Sequence, residues 1–255
     1  TTLFSGSGGT TAGVGDAALQ SYCQAYGLGW SLALNNAEPA SSIIDRWMKN
    51  LVVAVVWTGS TLRFVPFCDS YVDTNPGFES GGGRILRYYR GNLTAVASLT
   101  DNDYVQSDEE DSDPIVVSRV DPWDVKNTVR INFRDRYNYF NDVPSEAKDE
   151  LMAELYGPRV ERMGSADEFT HGSYAGNAVQ QQLQRNVAVR QTVEFRLDPR
   201  WCILEPMDIL LINETTLGFV NFPVRVKEIV EDEKGILTVT CEEFPQGSMT
   251  GTILS

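Results

Sequence analysis

Residues 223–243, PVRVKEIVEDEKGILTVTCEE, set the architecture of the chain's second half. Leu237, Val239 and Cys241 recur at every second residue with Thr238, Thr240 and Glu242 between them, the period of a strand with one buried face. Upstream, Val224 and Val226 keep that period until Glu228-Ile229 breaks it, which marks a β-bulge. The charged stretch Glu231 to Gly235 between the two runs reads as a hairpin turn. Working outward, Val193, Phe195 and Leu197 alternate with Thr192, Glu194 and Arg196, and Val129, Ile131 and Phe133 with Arg130, Asn132 and Arg134. Glu205-Pro206-Met207-Asp208 is a turn leading into a strand from Ile209 to Ile212. Five such strands suit a small closed or nearly closed β-barrel. Two helices are expected as an insertion at about residues 145–190. One runs from Ser145, its N-cap, to Tyr156 before Gly157-Pro158. The other spans Tyr174 to Val189 around Ala178, Leu183 and Val187.

The first half reads differently. Leu19, Tyr22, Cys23 and Tyr26 share one helical face, with Asp16 as N-cap and Gly27 as the stop. A short strand from Leu28 to Leu34 follows, then a helix after Pro39. That helix buries Ile43, Ile44, Trp47, Met48 and Leu51 and turns Asp45, Arg46, Lys49 and Asn50 to water. The Val-rich run Leu51 to Trp57, the turn Thr58-Gly59-Ser60 and Leu62 to Val65 form a hairpin. Asn75 to Gly83 is a turn-rich loop, residues 84–99 hold short strands, and Thr100 to Asp113 is an acidic loop. The fold class is therefore α+β. Its expected parts are a flexible Gly/Ser/Thr linker at 1–15, a small helix–strand–helix–hairpin domain at 16–114, and a β-barrel domain at 115–255. The linker and the missing initiator Met suggest a fragment of something longer.

Composition narrows the chemistry. The 255 residues carry 35 Asp and Glu against 21 Lys and Arg, a net charge of −14, so a phosphate-binding basic surface is not expected. The longest apolar run, Leu51 to Trp57, is far short of the about 20 residues that a membrane helix needs. Cys23, Cys68, Cys202 and Cys241 form no CxxC pair, which speaks against a thiolate metal site. They read as four buried thiols rather than disulfides. The single histidine, His171, has Ser173 nearby but no G-x-S-x-G pattern, and is expected to start a helix or sit in a loop. Gly81-Gly82-Gly83-Arg84 lacks the Gly-Lys-Ser/Thr ending of a phosphate loop. The carboxylates Asp108, Glu109, Glu110, Asp111 and Asp113 lack the glycine of a calcium loop and read as solvated. Trp57, Phe64 and Phe67 fall at strand spacing and are expected in the core. Tyr137, Tyr139 and Phe140 follow a strand and either serve an interface or close a barrel end. No catalytic, cofactor-binding or metal-binding residue is assigned, and no cofactor is expected.

Two sets of motifs carry a resemblance. The first is Leu19 to Leu28, Ala40 to Trp47, and Val56-Trp57-Thr58-Gly59-Ser60-Thr61-Leu62 through Pro66-Phe67. The second is Val116 to Asn141, with Asp121-Pro122, Asn127 and Phe133-Arg134-Asp135-Arg136. It continues in Phe195 to Asp208 and in Pro223 through Pro245. Their order resembles phage tail hub proteins: the lambda-like tail-tip attachment proteins and the baseplate hub proteins of gene transfer agents. The resemblance implies a non-enzymatic virion component, made in the bacterial host cytoplasm. It also implies a trimeric ring of β-barrels joining the tail tube to the distal tip, with other tail proteins as partners and no specific nucleic-acid binding. The alternatives are a tail-associated cell-wall hydrolase, or a carbohydrate-binding module for host recognition.

Overall fold

The computed structural model describes residues 19, 22–23, 25–31, 37–58, 61–68, 72–78, 84–89, 93–106 and 113–248. They form an α+β protein of mixed sheets. The chain divides into two compact units, Thr1–Gly91 with Lys126–Arg185 and Gly247–Ser255, and Asn92–Val125 with Asn186–Gln246. Residues 126–185, assigned from the sequence to the second domain, thus group with the first unit. The reason is a set of bonds that close long loops within that unit.

In the first unit, Leu19, Tyr22, Cys23 and Ala25 are helical, and Leu19, Tyr22, Ala25 and Tyr26 are buried. Gly27 ends this helix at φ +64°, while Leu28 N donates to Cys23 O at 2.8 Å, the bond that closes a Schellman cap. Residues 28–31 are not a strand, contrary to expectation: the Ser31 amide is used by the Glu168 carbonyl, at 2.7 Å. Helix α1 (Ala40–Asn50) buries Ile43, Trp47 and Met48 as its spacing predicts. Asn50 is buried too, a correction, because it donates to the carboxylate of Glu168 at 2.5 Å. Strands β1 (Val53–Thr58) and β2 (Thr61–Pro66) form the expected antiparallel hairpin. Val56 points inward, so the period of two turns Trp57 out; it is 69% exposed, not core. β3 (Val72–Phe78) and β4 (Arg84–Tyr89) make a second hairpin. Residues 75–78, expected as loop, belong to β3, whose register slips between Thr74 and Gly77, where an irregularity admits Pro76.

The same unit holds a three-stranded sheet. β7 (Thr128–Asp135) lies between antiparallel β8 (Asn141–Lys148) and parallel β9 (Val160–Ala166). Val129, Ile131 and Phe133 are its buried face. Ser145 is opposite Ile131 in β8 and caps nothing; the helix α2 (Glu150–Tyr156) starts later, capped by Asp149, which accepts from Met152 N at 2.9 Å. Ser145 to Ala147 alternate between half-buried and exposed, a strand period that the small residues disguise as helix. α3 (Gly172–Ala188) buries Ala175, Ala178 and Leu183. Tyr22 Oη lies 3.0 Å from Leu51 O and 2.6 Å from Gln181 Oε1, and Asn177 donates to Gly27 O at 3.0 Å. These two bonds from α3 tie residues 126–185 to the amino-terminal segment.

The second unit is a six-stranded sheet in the order β5-β11-β12-β13-β10-β6. Its strands are β5 (Ala97–Leu99), β6 (Ile115–Arg119), β10 (Gln191–Leu197), β11 (Ile209–Glu214), β12 (Phe219–Glu231) and β13 (Leu237–Glu243). Four of the five strands read from the sequence are here; the fifth, Val129 to Phe133, is β7 of the other unit. All pairings are antiparallel except β5 with β11. The expected bulge is present, the register slipping between Val226 and Glu228. Val193, Phe195, Leu197, Leu210, Ile212, Val224, Val226, Leu237, Val239 and Cys241 fill one face. Each such side chain contributes about 1.5–3 kcal/mol of burial before entropy is counted. On the opposite face Arg225 and Glu242, paired across β12 and β13, are both buried, with Nη1 3.8 Å from Oε1.

Candidate functional site

Among the described residues, the chemically reactive side chains do not converge on one site. His171 accepts the backbone N–H of Ser173 at Nδ1, 3.1 Å away, and its carbonyl accepts Tyr174 N and Ala175 N. It therefore caps the start of α3, and the Ser173 hydroxyl takes no part in that bond. None of the four cysteines is in a disulfide. Cys68 and Cys241 are buried and Cys23 half-buried, but Cys202 is exposed, contrary to expectation, because it follows a 3-10 turn on the surface. Burial pushes the Cys23 thiol up to about 12 and the Cys241 thiol higher still, so neither is a nucleophile at neutral pH. Among the described residues no group of three or more His, Cys, Asp or Glu could hold a metal ion. Gly81 to Gly83 and Asp108 to Asp111 lie outside the described residues. No helix among the described residues is long and apolar enough to cross a membrane.

Among the described residues of the first unit, Glu168 is the buried acid. Burial holds its pKa above the usual carboxylate range, against the opposing pull of the Asn50 amide. A raised carboxyl pKa contributes stability that is complete below the unfolded value and lost as pH rises through the folded one. Glu168→Gln keeps an acceptor for Asn50 and removes the charge. The variant is expected to lose less stability than the parent between pH 4 and pH 8, read by urea denaturation; parallel pH profiles would show that Glu168 is hydrated.

An aromatic surface is the most developed feature of this unit. The loop between β7 and β8 contains a 3-10 turn, Arg136–Asn138, capped by Asp135, which accepts from Tyr137 N at 2.9 Å. Phe140 N returns to Asp135 O at 2.8 Å. Tyr139 and Phe140 are both left-handed, at φ +54° and +58°, a conformation that costs a side-chain-bearing residue about 1–2 kcal/mol. That backbone holds the rings in water: Tyr137 is 76% exposed, Tyr139 91% and Phe140 60%. Beneath them the Tyr137 and His171 rings meet edge-on at 5.5 Å, and His171 lies 5.5 Å from Tyr174. Tyr174 presses on Gly29 so closely that a Cβ there would stand 2.5 Å from its ring. Of the two sequence readings for Tyr137, Tyr139 and Phe140, the exposure favours an interface. Leu151 and Leu155, one turn apart on α2, are also exposed; the sequence reading passed over them, although their i, i+4 spacing was a signal for the pair.

The sheet edges differ in how open they are. In the first unit β8 carries Pro144, and β9 carries a bulge, its register slipping before Gly164 at φ +92°. Both features discourage a further strand. In the second unit β5 has three residues, whereas β6 has five with neither proline nor bulge.

Residues 39–229 match the model of the family described as "Putative phage tail protein". A search of curated proteins returned no match. Among solved structures, the chain is similar to a tail protein from Neisseria meningitidis MC58, with 10% identity and a TM-score of 0.50 over 93% of this chain and 69% of that one. A chain of the virion of a native gene transfer agent particle aligns at 17% identity and TM-score 0.49, over 63% of this chain and 34% of that chain. A prophage tail protein from Listeria monocytogenes EGD-e aligns at 13% identity and TM-score 0.40, over 80% and 52%. The chain thus spans about a third and about a half of the length of the last two.

Proposed function

This chain belongs to the phage tail protein family, and from that membership we propose that it is a structural subunit of the tail hub, in the ring that joins the tail tube to the distal tip. In this reading other tail and baseplate proteins are its partners, and it works in the virion after synthesis in the host cytoplasm. It assembles as a homotrimer, the sheet of the second unit forming a nearly closed barrel, open at β6, that repeats around the ring. No reaction is assigned to it.

The observation that carries this reading is the Tyr137–Phe140 tip. Three large aromatic side chains in water, two of them on left-handed backbone, are a costly arrangement for a monomer and a suitable one for docking against a neighbouring subunit. Tyr139→Asn with Phe140→Gly places there the two residue types that tolerate this backbone. Stability is expected to rise by about 1 kcal/mol. Incorporation into tail particles, measured by sedimentation and electron microscopy, should be lost. Particles assembling at the parent level would remove the tip from the interface.

A further inference from the structure

The charge of the chain is concentrated in one unit. Residues 92–125 and 186–246 contain 20 Asp and Glu against 7 Lys and Arg, a net −13, whereas the remaining residues contain 15 against 14, a net −1. Within 92–125 there are nine acids and one base, Arg119, the last residue of β6. The acid-rich unit is also the one whose sheet ends in the unblocked strand β6.

The bond from Val120 N to Arg190 O, 2.9 Å, continues the β6–β10 register in which Arg119 faces Gln191. Counting back by twos, Ser118 and Val116 turn their N–H and C=O toward β10. Ile115, Val117 and Arg119 therefore turn theirs to the outer side, where the described residues supply no further strand. Val116 on this strand is 59% exposed, and Val120 and Trp123 just beyond it are exposed as well. Asp113 precedes the strand and Asp121 and Asp124 follow it.

We propose that β6 is a docking edge for an extended, basic segment of another tail protein, which adds to the sheet as a seventh strand. The proposal rests on the tail-protein reading and names the chemistry of the partner. The backbone of Ile115, Val117 and Arg119 supplies the ladder, and Val116 with Val120 supplies apolar contact. The surrounding acids select lysine and arginine. The β6 edge of a second copy carries the same acids, so like charge disfavours pairing two of these edges.

The test uses a labelled peptide of alternating valine and lysine, about ten residues long, and its valine–glutamate counterpart. The valine–lysine peptide is expected to bind the whole chain, with slowed amide exchange at Ile115, Val117 and Arg119. Val116→Lys should weaken it by about tenfold, and Val116→Glu, which keeps the acidic character, should not. Equal binding of the valine–glutamate peptide, or binding without protection of those three amides, overturns the proposal. So does self-association of the chain that protects the same amides. If the peptide fails to bind while the chain is still recovered in purified tails, the edge proposal falls and the tail reading stands.

Discussion

Arg225→Ala is expected to cost about 3–5 kcal/mol, because it leaves the Glu242 carboxylate buried beside an empty space. Arg225 is 4% exposed and Glu242 3%, directly across from each other on β12 and β13. The guanidinium also lies 4.5 Å over the ring of buried Phe244, a contact the truncation removes. A unit of this size has roughly 5–15 kcal/mol in total, so the loss is a large share of it. Replacing both partners, Arg225→Met with Glu242→Leu, removes the two buried charges together and is expected to cost far less, or to stabilise. Urea denaturation of both variants against the parent checks this. A loss below about 1 kcal/mol for Arg225→Ala would mean that water reaches Glu242 in the folded state.

Phe195→Ala is expected to cost a similar amount, about 3–5 kcal/mol, for a different reason. Phe195 is fully buried at the centre of β10, between Val117-facing Val193 and Leu197, and meets Tyr104 edge-on at 5.6 Å. Truncation removes the ring's burial and its aromatic partner, and leaves a cavity in a face whose other members sit on paired strands and have little freedom to close it. Phe195→Leu keeps most of the volume and should cost under about 1.5 kcal/mol. Near-equal losses for the two variants would show that the ring contributes shape rather than burial.

The ladder that these variants probe was legible because apolar residues recur at every second position on the face that builds the core. Residues 193–197, 223–230 and 237–241 announced themselves by period and 209–212 by the turn before it, as did the Lys227 bulge through its broken alternation. The Gly27 stop was equally local, since a left-handed residue closing a helix favours glycine. The misreadings share one cause. Ser145, Asn50 and Trp57 are each ambiguous locally, and their outcome depends on a partner distant in sequence or on which side of a hairpin is covered. Asn50 is buried because Glu168 is there to bond it, 118 residues away. β9 was missed because parallel strands need no turn signal and its pairing with β7 is set across α2.

The tip at Tyr137–Phe140 was found from the sequence as an aromatic cluster, but its exposure came from two left-handed residues that no composition reveals. The chain by itself determined which segments alternate and where the first helix stops, since these follow from neighbouring residues. Only the tertiary structure decided which strands share a sheet, that Arg225 and Glu242 are enclosed together, and that nearly all the net charge falls in one of the two units. Those depend on contacts between residues far apart along the backbone, whose energy is realised only when the loops between them have closed.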